Sequence, residues 1–286
     1  AASAGFKDKV VTFLKDYFVD LTWEVGSVIP YNTSPVSVTD KFDNWVKVWG
    51  SKSPTDSGAR VYAIFLNPSA SIIDATGCAS IYKNESCNQS GTDHLDVSTN
   101  ENIEFNNKVK NWLKFWVEYA ASKGINANQL MIELKDEPNE NSTAEYQKII
   151  IAWARAIKKS NLGVKVFVNP TYSNPSSMEA ALLTNADIVS PLLPQFITSN
   201  QAFRDYYVNQ NLIGKELAFY SCLGPAFLLD PDTYYRHQSW NAARYNITTI
   251  GHFMTRKDFL LGGTTKRRTK EDIRHIFLIK KIHLIQ

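Results

Sequence analysis

The chain is poor in the residues that build metal and redox centres. Its three cysteines, Cys78, Cys87 and Cys222, form no CxxC pair, so neither a zinc ribbon nor a dithiol redox centre is encoded. Its five histidines (His94, His237, His252, His275 and His283) show no metal-ligand spacing; no metal and no cofactor are expected. There is no G-x-S-x-G elbow around Ser221, which argues against a serine hydrolase, and no glycine-rich phosphate loop. No stretch reaches the ~18 apolar residues of a membrane span, and the opening AASAGFKDK lacks a signal-peptide core. No membrane partner is expected.

Positive charge is also scarce outside one end. From Thr255 onward there are nine Lys or Arg and three acids, which leaves 22 basic and 25 acidic residues in the body. Such a body offers no broad basic surface, so nucleic acid is not expected as a partner. The basic segment is set apart as residues 255–286, beside a main domain of residues 1–254. Its KEDIRHIFLIKKIHLIQ run can form a closing amphipathic helix through Ile273, Ile276, Phe277 and Ile282. That reading is preferred to a nucleic-acid tail; a non-native end is the third.

What is abundant is apolar and aromatic material. At 286 residues, with 44% hydrophobic and 12% aromatic side chains, the chain can bury one large core. A single α/β barrel commonly needs about 250 residues. Seven short runs read as strands: residues 18–25, 60–66, 129–135, 164–169, 186–191, 216–222 and 248–254. Helical periods alternate with them. NNKVKNWLKFWVEYAASKG carries a stripe of Val109, Trp112, Leu113, Trp116, Val117 and Tyr119 or Ala120, and Gly124 stops it. STAEYQKIIIAWARAIKKSNLG has Ser142 or Thr143 as its N-cap and ends on lysines and a glycine. The pattern predicts α/β architecture, a (β/α)8 TIM-barrel-like fold lacking its first strand because a helix precedes the first run; a doubly wound open sheet is the alternative. Residues 67–104 read as a long polar loop at the functional face.

Cys78 and Cys87 share that loop and could close a small disulfide in an oxidising compartment, or remain thiols. Five N-x-S/T sequons (Asn32, Asn84, Asn88, Asn141 and Asn246) suit a secreted or extracytoplasmic protein, although an Asn-rich chain yields some by chance.

The chemistry concentrates in MIELKDEPNE, residues 131–140, where an apolar strand stops in Asp136 and Glu137. Most Asp-Glu pairs only solvate a loop. These two stand at the carboxyl end of a barrel strand, where functional residues gather, with Glu133 and Glu140 nearby. Adjacent strand residues point to opposite faces, so both serve one site only if the pleat breaks. Pro138 is expected to hold Glu137 in the extended region. Two close carboxylates raise one pKa, giving a proton donor beside an anion, as glycoside hydrolysis requires. A retaining enzyme usually adds a nucleophilic carboxylate about 5 Å away. The strand KELAFYSCLG carries its only acid, Glu216, at its beginning and ends in Tyr220, Ser221 and Cys222. A 2-acetamido sugar can supply its own carbonyl oxygen as the nucleophile. Asn67, Asn169, Tyr172, Gln195 and Trp23 fall at or just beyond strand ends and are candidates to line a sugar site, or ordinary packing residues.

FDNWVKVWG, KGINANQLMIELKDEPNE, ADIVSPLLPQF, ELAFYSCLGP and YYRHQSWNAARYNITTIGHFM follow one another over most of residues 15–254. In that order they resemble the catalytic domain of glycoside hydrolase family 123, the β-N-acetylgalactosaminidases, and related domains sharing the DEP signature. The resemblance implies a glycan substrate, Glu137 as general acid/base, Asp136 as the residue that orients the 2-acetamido group, and Tyr220 as the aromatic near that group. The family also has a first barrel strand, usually after a β-sandwich domain, and this chain shows neither. Family 20 hexosaminidases carry a His-x-Gly-Gly that is ELK here, and the chitinase D-x-x-D-x-D-x-E run is missing. A catalytically silent carbohydrate-binding or scaffold barrel, and a two-carboxylate glycosidase with other specificity, are the alternative functions.

Overall fold

The computed structural model describes residues 11–12, 14–15, 20–31, 39–51, 58–74, 76–82, 102–221, 237–247, 249–255 and 275–281. All seven expected strands form: β1 (Leu21–Val25), β2 (Val61–Phe65), β5 (Leu130–Glu133), β6 (Lys165–Val168), β7 (Ile188–Val189), β8 (Glu216–Ser221) and β9 (Thr249–Thr255). They pair in parallel in the order β1-β2-β5-β6-β7-β8-β9, a curled sheet of barrel type.

The ring is closed by an element that helical periodicity concealed. His275–Lys281 forms β10, antiparallel to β9 over seven residues from His275↔Thr255 to Lys281↔Thr249, and antiparallel to β1 at Leu21↔Ile279. The expected closing helix is therefore corrected to a strand across these residues. The open edges of β1 and β9 offer unpaired backbone groups, and the backbone of the run HIFLI satisfies them by pairing. The sheet thus combines seven parallel strands with one antiparallel strand, in place of eight parallel βα units.

Helices cover the outside. These include α1 (Asp40–Trp49), α2 (Ile103–Ser122), α3 (Ala144–Ser160), α4 (Ala180–Asn185), α5 (Leu193–Thr198), α6 (Gln201–Leu212) and α7 (His237–Arg244). In α2, the Asn102 side chain accepts the Phe105 N–H at 3.0 Å, and Phe105, Val109, Trp112, Leu113, Trp116 and Ala120 form the buried stripe. Gly124, at φ +80°, turns the chain out where a side chain would be strained. Thr143, not Ser142, caps α3 by accepting the Tyr146 N–H at 3.2 Å. Residues 149–154 of α3 are all buried, so this helix is enclosed on more sides than an amphipathic surface helix.

Indole groups from these helices fix the loops at the carboxyl ends of β1 and β2. Trp112 donates to the carbonyls of Ile29 (3.2 Å) and Pro30 (3.1 Å), and Trp153 donates to Ser69 (2.8 Å). The stretch expected to be one polar loop contains a hairpin, β3 (Ser71–Asp74) with β4 (Gly77–Ser80). Lys108 of α2 anchors it through Asp74 at 2.9 Å. Cys78 in β4 is disulfide-bonded, while Cys87 lies outside the described residues. Among the described residues, no helix is long and apolar enough to cross a membrane.

Candidate active site

Strand alternation separates two apolar clusters. Leu130, Ile132, Val166, Val168, Leu217 and Phe219 belong to the large core between sheet and helices. The intervening residues Leu21, Ala63, Met131, Phe167, Ile188 and Ala218, one from each of six strands, form a second cluster in the lumen. Two residues further along the same face the lumen turns polar. By that alternation it receives Trp23 from β1, Glu133 from β5, Asn169 after β6, Ser190 after β7 and Tyr220 from β8. Glu133, Asn169, Ser190 and Tyr220 are each at most 3% exposed.

Just above this layer the chain leaves β5. Asp136 is exposed and Glu137 half-buried, and the break in the pleat is the backbone of Glu137 itself, with φ +48°. This corrects the expectation that Pro138 would keep Glu137 extended. A non-glycine residue at positive φ costs about 1–3 kcal/mol, so neighbouring groups must hold it there. They are at hand: the Glu137 N–H donates to Asn169 Oδ1 at 3.2 Å, and its carbonyl accepts from Asn139 Nδ2 at 3.2 Å. Thr171 Oγ1 reaches the same carbonyl at 3.5 Å, while the Thr171 N–H donates to the Pro138 carbonyl at 3.0 Å.

Asn169 links the two acids. Its Nδ2 donates to Asp136 Oδ1 at 2.9 Å while its Oδ1 takes the Glu137 N–H, so one amide plane sets both residues. Tyr220, from across the lumen, donates its hydroxyl to Glu137 Oε1 at 2.6 Å. The turn thus brings Asp136 and Glu137 to one side of the mouth with Asn169 and Tyr220 beside them.

The other sequence candidates hold the lumen and the loops around this group. Trp23 packs edge-on against Phe167 in the lumen, ring centres 5.9 Å apart. Asn67, at φ +45°, accepts the Tyr146 hydroxyl at 2.7 Å and so ties the loop after β2 to α3. Tyr172 is buried in the main core, and Gln195 donates to its carbonyl at 3.1 Å; the pair braces the loop after β6. Glu140 braces the same loop by accepting the N–H groups of Ser173 and Asn174.

Glu133 lies beneath this group; the sequence offered it only as a nearby acid, without a role. Its carboxyl is pushed well above the usual carboxylate range, first by complete burial and then by the charges of Asp136 and Glu137, against an opposing hydrogen bond from Asn169. The signal for it was present: it stands at i+2 from lumen residue Met131 and three residues before Asp136. Among the described residues no cluster of His, Cys, Asp and Glu is arranged to hold a metal ion.

No protein-family model matches the chain, and no curated protein matches it. Among solved structures the chain is similar to a glycoside hydrolase. That protein is a family 123 enzyme from Clostridium perfringens, described for glycolipid glycan hydrolysis. Identity is 16% and the TM-score 0.41, over 77% of this chain and 39% of that one, so the chain spans well under half of the neighbour's length.

Proposed function

We propose that this chain is a glycoside hydrolase domain acting on 2-acetamido-2-deoxy sugars, N-acetylgalactosaminides first, by a retaining, substrate-assisted mechanism. The observation that carries the reading is the Asn169 clamp, which presents a carboxylate and a second carboxyl group side by side at the barrel mouth. Glu137 acts as general acid, with Tyr220 held on Oε1. It protonates the glycosidic oxygen as the bond to C1 breaks, while the substrate's acetamido carbonyl oxygen forms a bond to C1. Asp136 accepts the acetamido N–H and stabilises the positive charge that develops on the resulting oxazoline-type ring. Water then attacks C1 with Glu137 as base, reopening the ring with net retention.

The opposite acid of β8 does not suit a second-carboxylate nucleophile. Glu216 begins that strand, four residues from Tyr220, and is engaged with Lys165 at 3.4 Å and Thr249 at 3.0 Å. The disulfide at Cys78 supports an extracytoplasmic setting.

The test is a side-by-side assay of chromogenic N-acetylgalactosaminide, N-acetylglucosaminide and plain galactoside. Cleavage of the acetamido sugars alone is expected. Comparable cleavage of the plain galactoside would sink substrate assistance, since that sugar lacks the internal nucleophile. Binding without any turnover would mark a carbohydrate-binding barrel.

A further inference from the structure

Glu133 is an uncommon feature: a carboxyl 1% exposed, in the lumen, with Oε1 unpartnered among the described residues. A buried ionised carboxylate needs a cation or several donors, because removing it from water costs several kcal/mol. Among the described residues, none of its strand neighbours supplies a positive charge. On its own element the titratable neighbours are Asp136 and Glu137, both acidic. From β6 come Phe167 and Asn169, from β2 the paired Phe65, from β1 Trp23, and from β8 Tyr220, which is already directed to Glu137. Lys135 turns away, its ammonium lying 4.9 Å from the Tyr146 ring.

Asn169 is the one polar group shared between Glu133 and the acid pair. Its amide hydrogens serve Asp136 while its oxygen serves the Glu137 backbone, so the orientation of a single amide decides whether both bonds exist. A flipped amide would aim oxygen at carboxylate and N–H at N–H.

We propose that Glu133 is a positioning residue of the site, a neutral buried acid beneath Asn169 that fixes the direction of its amide and keeps a buried negative charge away from Asp136 and Glu137. Loss of its proton places an anion beneath the pair and sets it competing with Asp136 for the Asn169 amide hydrogens. Turnover then ends as the Glu133 proton is lost, which makes this residue the source of the alkaline limb of activity. The proposal rests on the glycosidase reading for its activity arm, and its spectroscopic arm stands without it.

The experiment compares wild type with Glu133→Gln and Glu133→Ala. Glu133→Gln keeps size and neutrality, so turnover near the wild-type level and an alkaline limb displaced to higher pH are expected. Glu133→Ala frees Asn169 and should cost about 10²-fold in kcat, the order expected when a reacting group is displaced by an ångström. In parallel, infrared spectra at neutral pH should contain a protonated-carboxyl band in wild type that Glu133→Gln lacks. The Asn169 side-chain amide resonances should shift with alkaline pH in wild type and stay fixed in Glu133→Gln. An unchanged alkaline limb in Glu133→Gln, or absence of the band in wild type, overturns the proposal. If no sugar is cleaved, the glycosidase reading fails, while the band and the Asn169 resonances still decide the state and role of Glu133: identical Asn169 titrations in the two proteins would end it.

Discussion

Glu216 and Glu133 belong to the same lumen at opposite ends, and they are treated differently. Glu216, at the amino-terminal rim, has the Lys165 ammonium at 3.4 Å and the Thr249 hydroxyl at 3.0 Å, and more than a third of its side chain reaches water. Glu133, under the carboxyl-terminal mouth, has no cation beside it among the described residues, next to no water, and two further acids above it. A glutamate used only to close a rim would be given the first environment. The second destabilises the charged form, an environment that suits the proposed chemistry at the mouth.

If the two ends divide the labour in this way, the largest effects of substitution must fall on the acid pair. Glu137→Gln should lower kcat by about 10³-fold on substrates with poor leaving groups and far less on activated aryl glycosides, because only the former need a proton donor. Asp136→Asn should lower it by a similar factor, about 10²–10³-fold, on both kinds, since it acts on the acetamido group whatever departs. Steady-state kinetics on a paired set of leaving groups checks both. Equal losses across the two sets for Glu137→Gln would remove it as the acid.

Asn169→Ala comes next, at about 10²-fold in kcat with KM little changed, because the clamp sets geometry and not affinity. It also releases the positive-φ backbone of Glu137. Tyr220→Phe removes one hydrogen bond to Glu137, worth about 0.5–1.5 kcal/mol, and so up to about tenfold in kcat/KM. A Tyr220→Phe loss exceeding that of Asn169→Ala would mean that the phenol, and not the amide, holds the pair.

Much of this division was legible in the sequence. Each parallel strand is a short apolar run bounded by Gly, Pro, Asn or Asp, so all seven were found, and Asp136 and Glu137 were placed at a strand end. β10 was hidden because HIFLIKK satisfies a helical stripe as readily as a strand, and only the two unpaired sheet edges decide between them. The left-handed backbone of Glu137 was hidden because Pro138 argues locally for extension; the bonds from Asn169, Asn139 and Thr171, all supplied by the tertiary fold or the turn, outweigh that preference. Glu133 was noted as a nearby acid, but its place in the lumen was hidden by the burial of parallel strands on both faces, which removes the polar alternation that would mark such a position.

A smaller effect concerns stability and pH. The folded-state pKa of Glu133 is raised above its ordinary value of 4.5, so the folded protein holds a proton that the unfolded chain releases. The sign follows: the contribution is fully present below 4.5 and is lost as pH rises through the folded value. Glu133→Gln carries no such linkage. Its melting temperature should therefore gain on wild type as pH increases across the neutral range, and parallel curves for the two proteins would mean that Glu133 titrates normally.

The smallest effect tests the other end of the lumen. Lys165→Met removes the cation from Glu216 where both side chains are more than a third exposed, and such pairs contribute about 0–1 kcal/mol. Glu216 keeps the Thr249 hydroxyl and its access to water, so a small drop in melting temperature with unchanged kcat and KM is expected. The pair sits below the apolar layer of Met131, Phe167, Ile188 and Ala218, which separates its charge from Asp136 and Glu137. A kinetic defect in Lys165→Met comparable to that of Asn169→Ala would show that this layer does not insulate the two ends. The neutral Glu133 would then have to be understood as part of one charge network running the length of the lumen, with Lys165 as its distant counter-ion.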